Sequence, residues 1–278
     1  MIPQMAKNHD QLMRFMREVS LLTRCEHPNI VGIKGYCGDP PMMLLDFATN
    51  GALDSLLHNS EKFPNISDEL RARWAKDICE GLVYLHTLQP EMVIHRDLKS
   101  ANVLLFDEYK ALITDFGMSR IQNSNHTMTA VGSMLWMAPE LLVSTRYDSS
   151  VDVYAYGIVL WETMSRELPY DHQKISGMKI MHEVVQVGTR PSVPVQHFWQ
   201  PIYLELMKQC MKANIQSRPS VHAIKQMLSV CKQSFTTQRL EPSFPFRIEV
   251  ADGKNLFRHC ASDFNILVRP KMADSFAI

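Results

Sequence analysis

His95-Arg96-Asp97-Leu98-Lys99-Ser100-Ala101-Asn102 is followed, thirteen residues after Asn102, by Asp115-Phe116-Gly117. Short β-like pieces flank both segments, at Val93 to His95, Val103 to Leu105 and Leu112 to Thr114, so the charged and amide side chains sit on loops between neighbouring strands. Ala138-Pro139-Glu140 follows, after a polar stretch from Gln122 to Thr129 that shows no periodicity. Each of these residues alone reads as a solvated surface group. Several triplets in fixed order and in the right strand and loop context do not.

Working outward, Leu70, Trp74, Ile78, Leu82 and Leu85 form a stripe at helical spacing, with Ser67 as N-cap and Asp68 and Glu69 in the first turn; this helix stops before Pro90. Further back, Leu12, Phe15, Met16, Val19 and Leu22 predict an amphipathic helix over 8–25, capped by Asn8 or Asp10. A hairpin follows, with strands at Ile30 to Cys37 and Met42 to Phe47 around Gly38-Asp39-Pro40-Pro41. Downstream, residues 151–164 are apolar nearly all round, which in a soluble chain means a buried helix. Helical patterns recur at about 173–186, 199–212 and 219–231. After Cys231 the pattern is lost, and residues 232–278 read as a tail of uncertain order.

The 278 residues are 46% hydrophobic and 21% charged, which excludes collagen-like and largely disordered classes. Twenty-nine basic residues balance 29 acidic ones, so bulk charge holds this chain neither on nucleic acid nor on an anionic membrane. The longest apolar stretch, Val151 to Trp161, carries Asp152 and falls short of the roughly 20 residues of a membrane span. No secretory signal is visible at the N-terminus, which makes a cytoplasmic location the expectation, with the nucleus as an alternative. Six cysteines without C-x-x-C spacing read as reduced, buried thiols.

The H-R-D-L-K-S-A-N loop, the D-F-G triplet and the A-P-E triplet resemble the catalytic loop, metal-binding motif and activation-segment end of eukaryotic protein kinases. The resemblance covers roughly residues 7–231. It implies an α+β, protein-kinase-like two-lobe fold with an incomplete N-terminal β lobe (1–48) and a mainly helical C-terminal lobe (49–231). It also implies ATP and Mg2+ as cofactors and a protein as substrate. Phosphoryl transfer asks mainly for positioning and charge neutralisation. By similarity Asp97 orients the attacking hydroxyl, Lys99 places a charge near the γ-phosphate, and Asn102 and Asp115 offer hard oxygen ligands to the metal. Leu45 falls at the gatekeeper position, the backbones of Asp46 and Ala48 would meet the adenine edge, and Leu104 would form the floor beneath it. Glu140 would pair with Arg218, and Asp152 would hold the catalytic-loop backbone. His95, Phe116, Leu22 and Ile33 would form an apolar spine.

Lys99 and Ser133 resemble serine/threonine kinases, whereas Trp136-Met137-Ala138-Pro139-Glu140 and Asp152 through Glu162 resemble the tyrosine-kinase-like group of them. Thr127 and Thr129 are candidate phosphorylation sites, with Arg96 as the fork for the phosphate. Glu18 matches the helix Glu of the family, but residues 1–30 contain no glycine and so no Gly-rich loop. The strand Lys that pairs with this Glu should fall near position 3, where Pro3 stands, and Lys7 is too close to Glu18 to replace it. The resemblance therefore implies a kinase lacking its first strands, with weak transfer and with the apolar faces of both hairpin strands exposed. A non-catalytic kinase-like interaction module is the competing class, separated from the first by nucleotide binding; a small-molecule phosphotransferase is a third. Oligomeric state, substrate and pathway are not readable from the residues.

Overall fold

The computed structural model describes residues 2–116, 120–121, 133–144, 147–174, 178–193, 201–230 and 267–268. They form two structural units. In the smaller, helix α1 (Ile2–Arg24) packs on a hairpin of β1 (Ile33–Gly38) and β2 (Pro41–Leu45). The strands pair antiparallel from Gly38 opposite Pro41 to Ile33 opposite Leu45. Pro41 is already a strand residue, which its position as the first of β2 permits.

Helix α1 starts six residues before the sequence pattern indicates, so Asn8 and Asp10 lie inside it and are not caps. Pro3 fits the first turn of a helix, and Gln4, Met5, Ala6 and Lys7 are good helix formers that extend it without apolar periodicity. Pro3 and Lys7 thus lie in helix and not in a strand. The apolar stripe is only half used. Val19 and Leu22 are buried, whereas Leu12 and Met16 are exposed. A helix of 23 residues is about 34 Å long at 1.5 Å per residue, while strands of five and six residues reach only about 20 Å, so the hairpin covers one end.

Exposure of the hairpin strands holds for one of them. Met42 and Leu44 on β2 are exposed, and so is Phe47 just beyond it, but Ile33 and Cys37 on β1 are buried. Ile30 and Val31 are buried as well, in the larger unit, where Val31 N–H donates to the Ile113 carbonyl at 2.9 Å.

The larger unit comprises Cys25–Val31 and the described residues from Phe47 to Val230. Its first helices are α2 (Leu53–Leu57), too short to show a period in the sequence, and α3 (Asp68–Thr87). Ser67 caps α3 as expected, its Oγ accepting from Leu70 N–H at 3.2 Å. Trp74, Ile78, Leu82 and Leu85 are fully buried. Next come β3 (Val93–Ile94), β4 (Val103–Leu105), β5 (Ala111–Ile113) and β6 (Arg120–Ile121), with β3 paired to β6 and β4 to β5, both antiparallel.

Helix α4 (Pro139–Val143) begins on its proline, and α5 (Ser150–Ser165) is buried from Val151 to its end, packed by α3 and by α7 (Pro201–Cys210). The helix expected over 173–186 is broken. Residues 171–173 form a 3₁₀ turn between Tyr170 (φ 66°) and Lys174 (φ 55°), and α6 (Met178–His182) runs into a π turn that ends at Gly188 (φ 80°). Left-handed residues on both sides stop the chain from continuing as one helix. Helix α8 (Val221–Val230) packs on α3.

Beyond residue 230 the described residues are Leu267 and Val268, which form β7 and pair antiparallel with β1, giving the sheet order β2-β1-β7. A two-residue strand carries no periodic signal, which is why the sequence reads there as tail. Cys25, Cys37, Cys79 and Cys210 are buried, as expected, and Cys231 and Cys260 lie outside the described residues. Among the described residues no helix is long and apolar enough to cross a membrane.

Candidate active site

The loop between β3 and β4 folds on itself through short-range bonds. Ser100–Asn102 is a 3₁₀ turn in which Asn102 N–H donates to the Lys99 carbonyl at 2.9 Å. The turn brings Asn102 back over Asp97: its Nδ2 donates to the Asp97 carbonyl at 2.8 Å and to the carboxylate Oδ2 at 3.1 Å. Lys99 Nζ lies 3.0 Å from the same Oδ2 and donates to Ser133 Oγ at 2.9 Å. Asp97, Lys99, Asn102 and Ser133, 36 positions apart at the extremes, therefore form one hydrogen-bonded cluster. The Asp97 side chain is 10% exposed and that of Lys99 21%, so the cluster is sheltered but open to a reactant.

The loop backbone is held from below by α5. Asp152, fully buried, accepts from His95 N–H through Oδ2 and from Arg96 N–H through Oδ1, both at 2.8 Å, and its Oδ2 also lies 2.8 Å from His86 Nε2. Burial pushes this carboxyl up, but the His86 bond, the nearby imidazoles and the Arg96 N–H outweigh it and hold the group below the usual carboxylate range. Arg96 sits at φ 68°, a left-handed conformation unfavourable for a non-glycine residue, which the two N–H bonds to Asp152 maintain. Its guanidinium stacks over the Tyr147 ring at 5.1 Å.

His95 ties the two motifs together. Its Nε2 faces the Thr114 carbonyl at 2.9 Å, while Asp97 N–H reaches its Nδ1 at 3.3 Å, an arrangement that suits the Nε2–H tautomer. Its ring meets buried Phe116 edge-on, with centroids 5.2 Å apart. Thr114 N–H donates to the Asn102 carbonyl at 3.0 Å, so the chain entering Asp115 is fixed beside Asn102. Asp115 is exposed, at φ 63°. The Asn102 amide nitrogen is engaged with Asp97, which leaves its oxygen as the atom available to a cation; together with the Asp115 carboxylate this is a hard donor set that suits Mg2+.

The other expected site residues have contacts of their own within each unit. Leu104 is half-buried in β4, opposite Leu112 and bridged to Ala52. Ala48 accepts from Gly51 N–H at 3.3 Å. In the smaller unit Leu45 ends β2 and Glu18 is half-buried on α1. Asp46 N–H donates to the Gly32 carbonyl at 3.2 Å, and its carboxylate pairs with Lys34 at 3.0 Å. Glu140 and Arg218 form the expected pair, bidentate at 2.5 and 2.9 Å. Leu22 and Ile33 are buried. Gly117, Thr127 and Thr129 lie outside the described residues.

His86, Ser100 and Glu162 acquire contacts that the sequence reading did not assign. His86 is the second support of Asp152, and Ser100 and Trp136 both bond Glu162. Glu162 and Trp136 figure in the sequence only as parts of family-like segments; their meeting across 26 residues has no local signal.

A family model described as protein tyrosine and serine/threonine kinase matches residues 1–228. The chain is 37% identical over 223 residues to drkB of Dictyostelium discoideum, named a probable serine/threonine-protein kinase; the match covers 80% of this chain and 31% of that protein. It is 35% identical over 216 residues to human mitogen-activated protein kinase kinase kinase 7, covering 77% of this chain and 35% of the relative. With serine/threonine-protein kinase STY17 of Arabidopsis thaliana it shares 34% over 225 residues, 80% of this chain and 38% of the relative. The chain thus spans about a third of the length of these curated relatives. A family model matched over most of the sequence, together with the hydrogen-bonded catalytic-loop cluster, leads to one conclusion: the chain belongs to the protein tyrosine and serine/threonine kinase family.

Proposed function

We propose that this chain transfers the γ-phosphate of ATP to Ser or Thr hydroxyls of protein substrates. The observation that carries the reading is the Asp97 carboxylate, held by Lys99 and Asn102, with Lys99 reaching on to Ser133. A carboxylate fixed by two donors keeps one direction open, toward which an acceptor hydroxyl can point its proton. The hydroxyl oxygen forms the new bond to phosphorus as the bond to the β–γ bridging oxygen breaks and ADP leaves; Asp97 takes the hydroxyl proton. Lys99, a compact cation between Asp97 and Ser133, offsets charge on the transferring group. Asn102 and Asp115 would hold the metal, which would neutralise charge on the phosphates. By the family resemblance Leu45, Asp46, Ala48 and Leu104 are given to the adenine, Glu18 to the helix-Glu role, and Arg96 to a phosphate on Thr127 or Thr129.

Substituting Asp97→Asn keeps the bonds from Lys99 and Asn102 to one oxygen but removes the proton acceptor. Transfer to a generic basic protein should fall by about 10² to 10⁴ with Mg-ATP affinity by calorimetry unchanged. Phosphoamino-acid analysis of the wild-type product should give phosphoserine and phosphothreonine; mainly phosphotyrosine, or full activity in Asp97→Asn, overturns the assignment.

A further inference from the structure

Glu162 is the one acidic residue of α5 after Asp152, and it lies fully buried beneath the catalytic loop. Its Oε1 accepts from Ser100 Oγ at 2.6 Å and its Oε2 from Trp136 Nε1 at 2.8 Å. Ser100 follows Lys99 directly. Trp136 closes a turn with Ser133, its N–H donating to the Ser133 carbonyl at 3.2 Å. At the far end of these two arms Lys99 Nζ meets Ser133 Oγ at 2.9 Å. The contacts form a closed ring from Glu162 through Ser100 and Lys99 to Ser133, then through Trp136 back to Glu162. One buried carboxylate joins two segments of the chain at their base, and the two residues that face the reaction join them at the tip.

We propose that Glu162 is a positioning residue whose carboxylate clamps the catalytic loop to the Ser133–Trp136 turn and so sets Lys99 and Ser133 against the acceptor hydroxyl. The inference rests on the kinase reading above and adds to it a residue outside the catalytic motifs. The ionised form suits the clamp, because Ser100 and Trp136 are both donors and each needs a lone pair.

Burial raises the Glu162 carboxyl to about 7 against the pull of the Ser100 and Trp136 bonds, and Asp54 on α2 raises it further. His58, at the C-terminal end of α2, stands with Nε2 3.3 Å from Oε1. Burial lowers the His58 imidazole, opposed in part by Asp54, so it is neutral near pH 7 and can accept the Glu162 proton. Arg166, one turn beyond Glu162, is engaged with the carbonyls of Leu57, Phe63 and Pro64. The catalytic loop and the Trp136 turn present neutral donors. When Glu162 takes up a proton, its O–H turns to His58 and Ser100 loses its acceptor, which opens the ring at the loop.

The test compares wild type with Glu162→Gln and Trp136→Phe between pH 5 and 8, in transfer to a basic protein and in thermal unfolding. Wild-type kcat should rise through a step near pH 7. In Glu162→Gln kcat at pH 8 should fall about tenfold, with the KM for ATP within twofold and the step gone. In Trp136→Phe the carboxylate is intact but one arm is released, so kcat should again fall severalfold at an unchanged KM for ATP. A kcat within twofold of wild type and an unaltered pH profile in Glu162→Gln overturn the clamp; should that variant not fold, an unchanged kcat in Trp136→Phe does so. Thermal unfolding answers even without activity. The folded-state pKa is raised, so wild type loses stability as pH rises from about 4.5 to 7, and its midpoint should drop relative to Glu162→Gln by about 5 °C between pH 5 and 8. A midpoint difference independent of pH overturns the clamp, whereas absence of wild-type transfer at every pH overturns the kinase reading and leaves this arm to decide on Glu162.

Discussion

Replacing Asp152 by Asn tests how much of the catalytic loop is held by one buried carboxylate. In the native structure its two oxygens serve three groups at 2.8 Å: the N–H of His95, the N–H of Arg96 and His86 Nε2. An Asn side chain has one oxygen. Whichever way the amide is turned, its NH2 faces at least one donor, either a loop N–H or His86. A hydrogen bond to a charged group contributes about 1.5–3 kcal/mol, and a buried donor left unsatisfied costs about 1–3 kcal/mol. The left-handed Arg96, at φ 68°, adds strain of about 1–3 kcal/mol that the lost bond no longer opposes. These effects overlap, so the expected loss is about 3–5 kcal/mol, and at this chain size it lowers the thermal midpoint by about 10 °C. Thermal and urea unfolding at pH 7 measure it. Transfer activity at a temperature where the variant is still folded should also fall, because Arg96 precedes Asp97. A midpoint within 2 °C of wild type would refute the reasoning, since it would mean that the loop holds its conformation through its local bonds alone.

Arg218→Ala should cost about 3–5 kcal/mol, because it leaves the Glu140 carboxylate without its bidentate partner and removes the donors to the Lys212 and Ser150 carbonyls; a double-mutant cycle with Glu140→Gln should show strongly non-additive losses by urea unfolding. Gly81→Ala should destabilise despite a helix-propensity gain of about 1 kcal/mol, since the new Cβ would lie 2.8 Å from Ile113 Cδ1 and 3.0 Å from the Asn29 carbonyl oxygen. Equilibrium urea unfolding decides it, and a stabilised alanine variant would contradict the packing described for α3.

The catalytic residues were legible because their arrangement is local. Asp97, Lys99 and Asn102 fall within six positions, and a single 3₁₀ turn is enough to bring the amide and the ammonium onto one carboxylate. The Ser67 cap, the stripe on α3 and the all-apolar α5 were legible for the same reason: capping and periodicity are properties of a few consecutive residues. The bond from Glu140 to Arg218 spans 78 positions and was reached through resemblance alone. Where the local signal is weak the sequence pattern does not reach the observed structure. Helix α1 extends over residues without an apolar period, the pattern at 173–186 is cut by left-handed backbone, and the partner of β1 at Leu267–Val268 is too short to announce itself.

Glu162 marks the boundary between the two kinds of information. By its sequence it is a carboxylate at the end of an apolar helix, where a solvated position near the C-terminus would be unremarkable. Its role depends on Ser100, 62 residues before it, and on Trp136, 26 residues before it, arriving at the same buried spot with a donor each. The sequence alone determined which residues can carry the chemistry, because side-chain type and short-range turns decide that. Tertiary structure alone decided which buried groups hold them in place, because a donor and an acceptor far apart in the chain become a pair only when packing removes water from both.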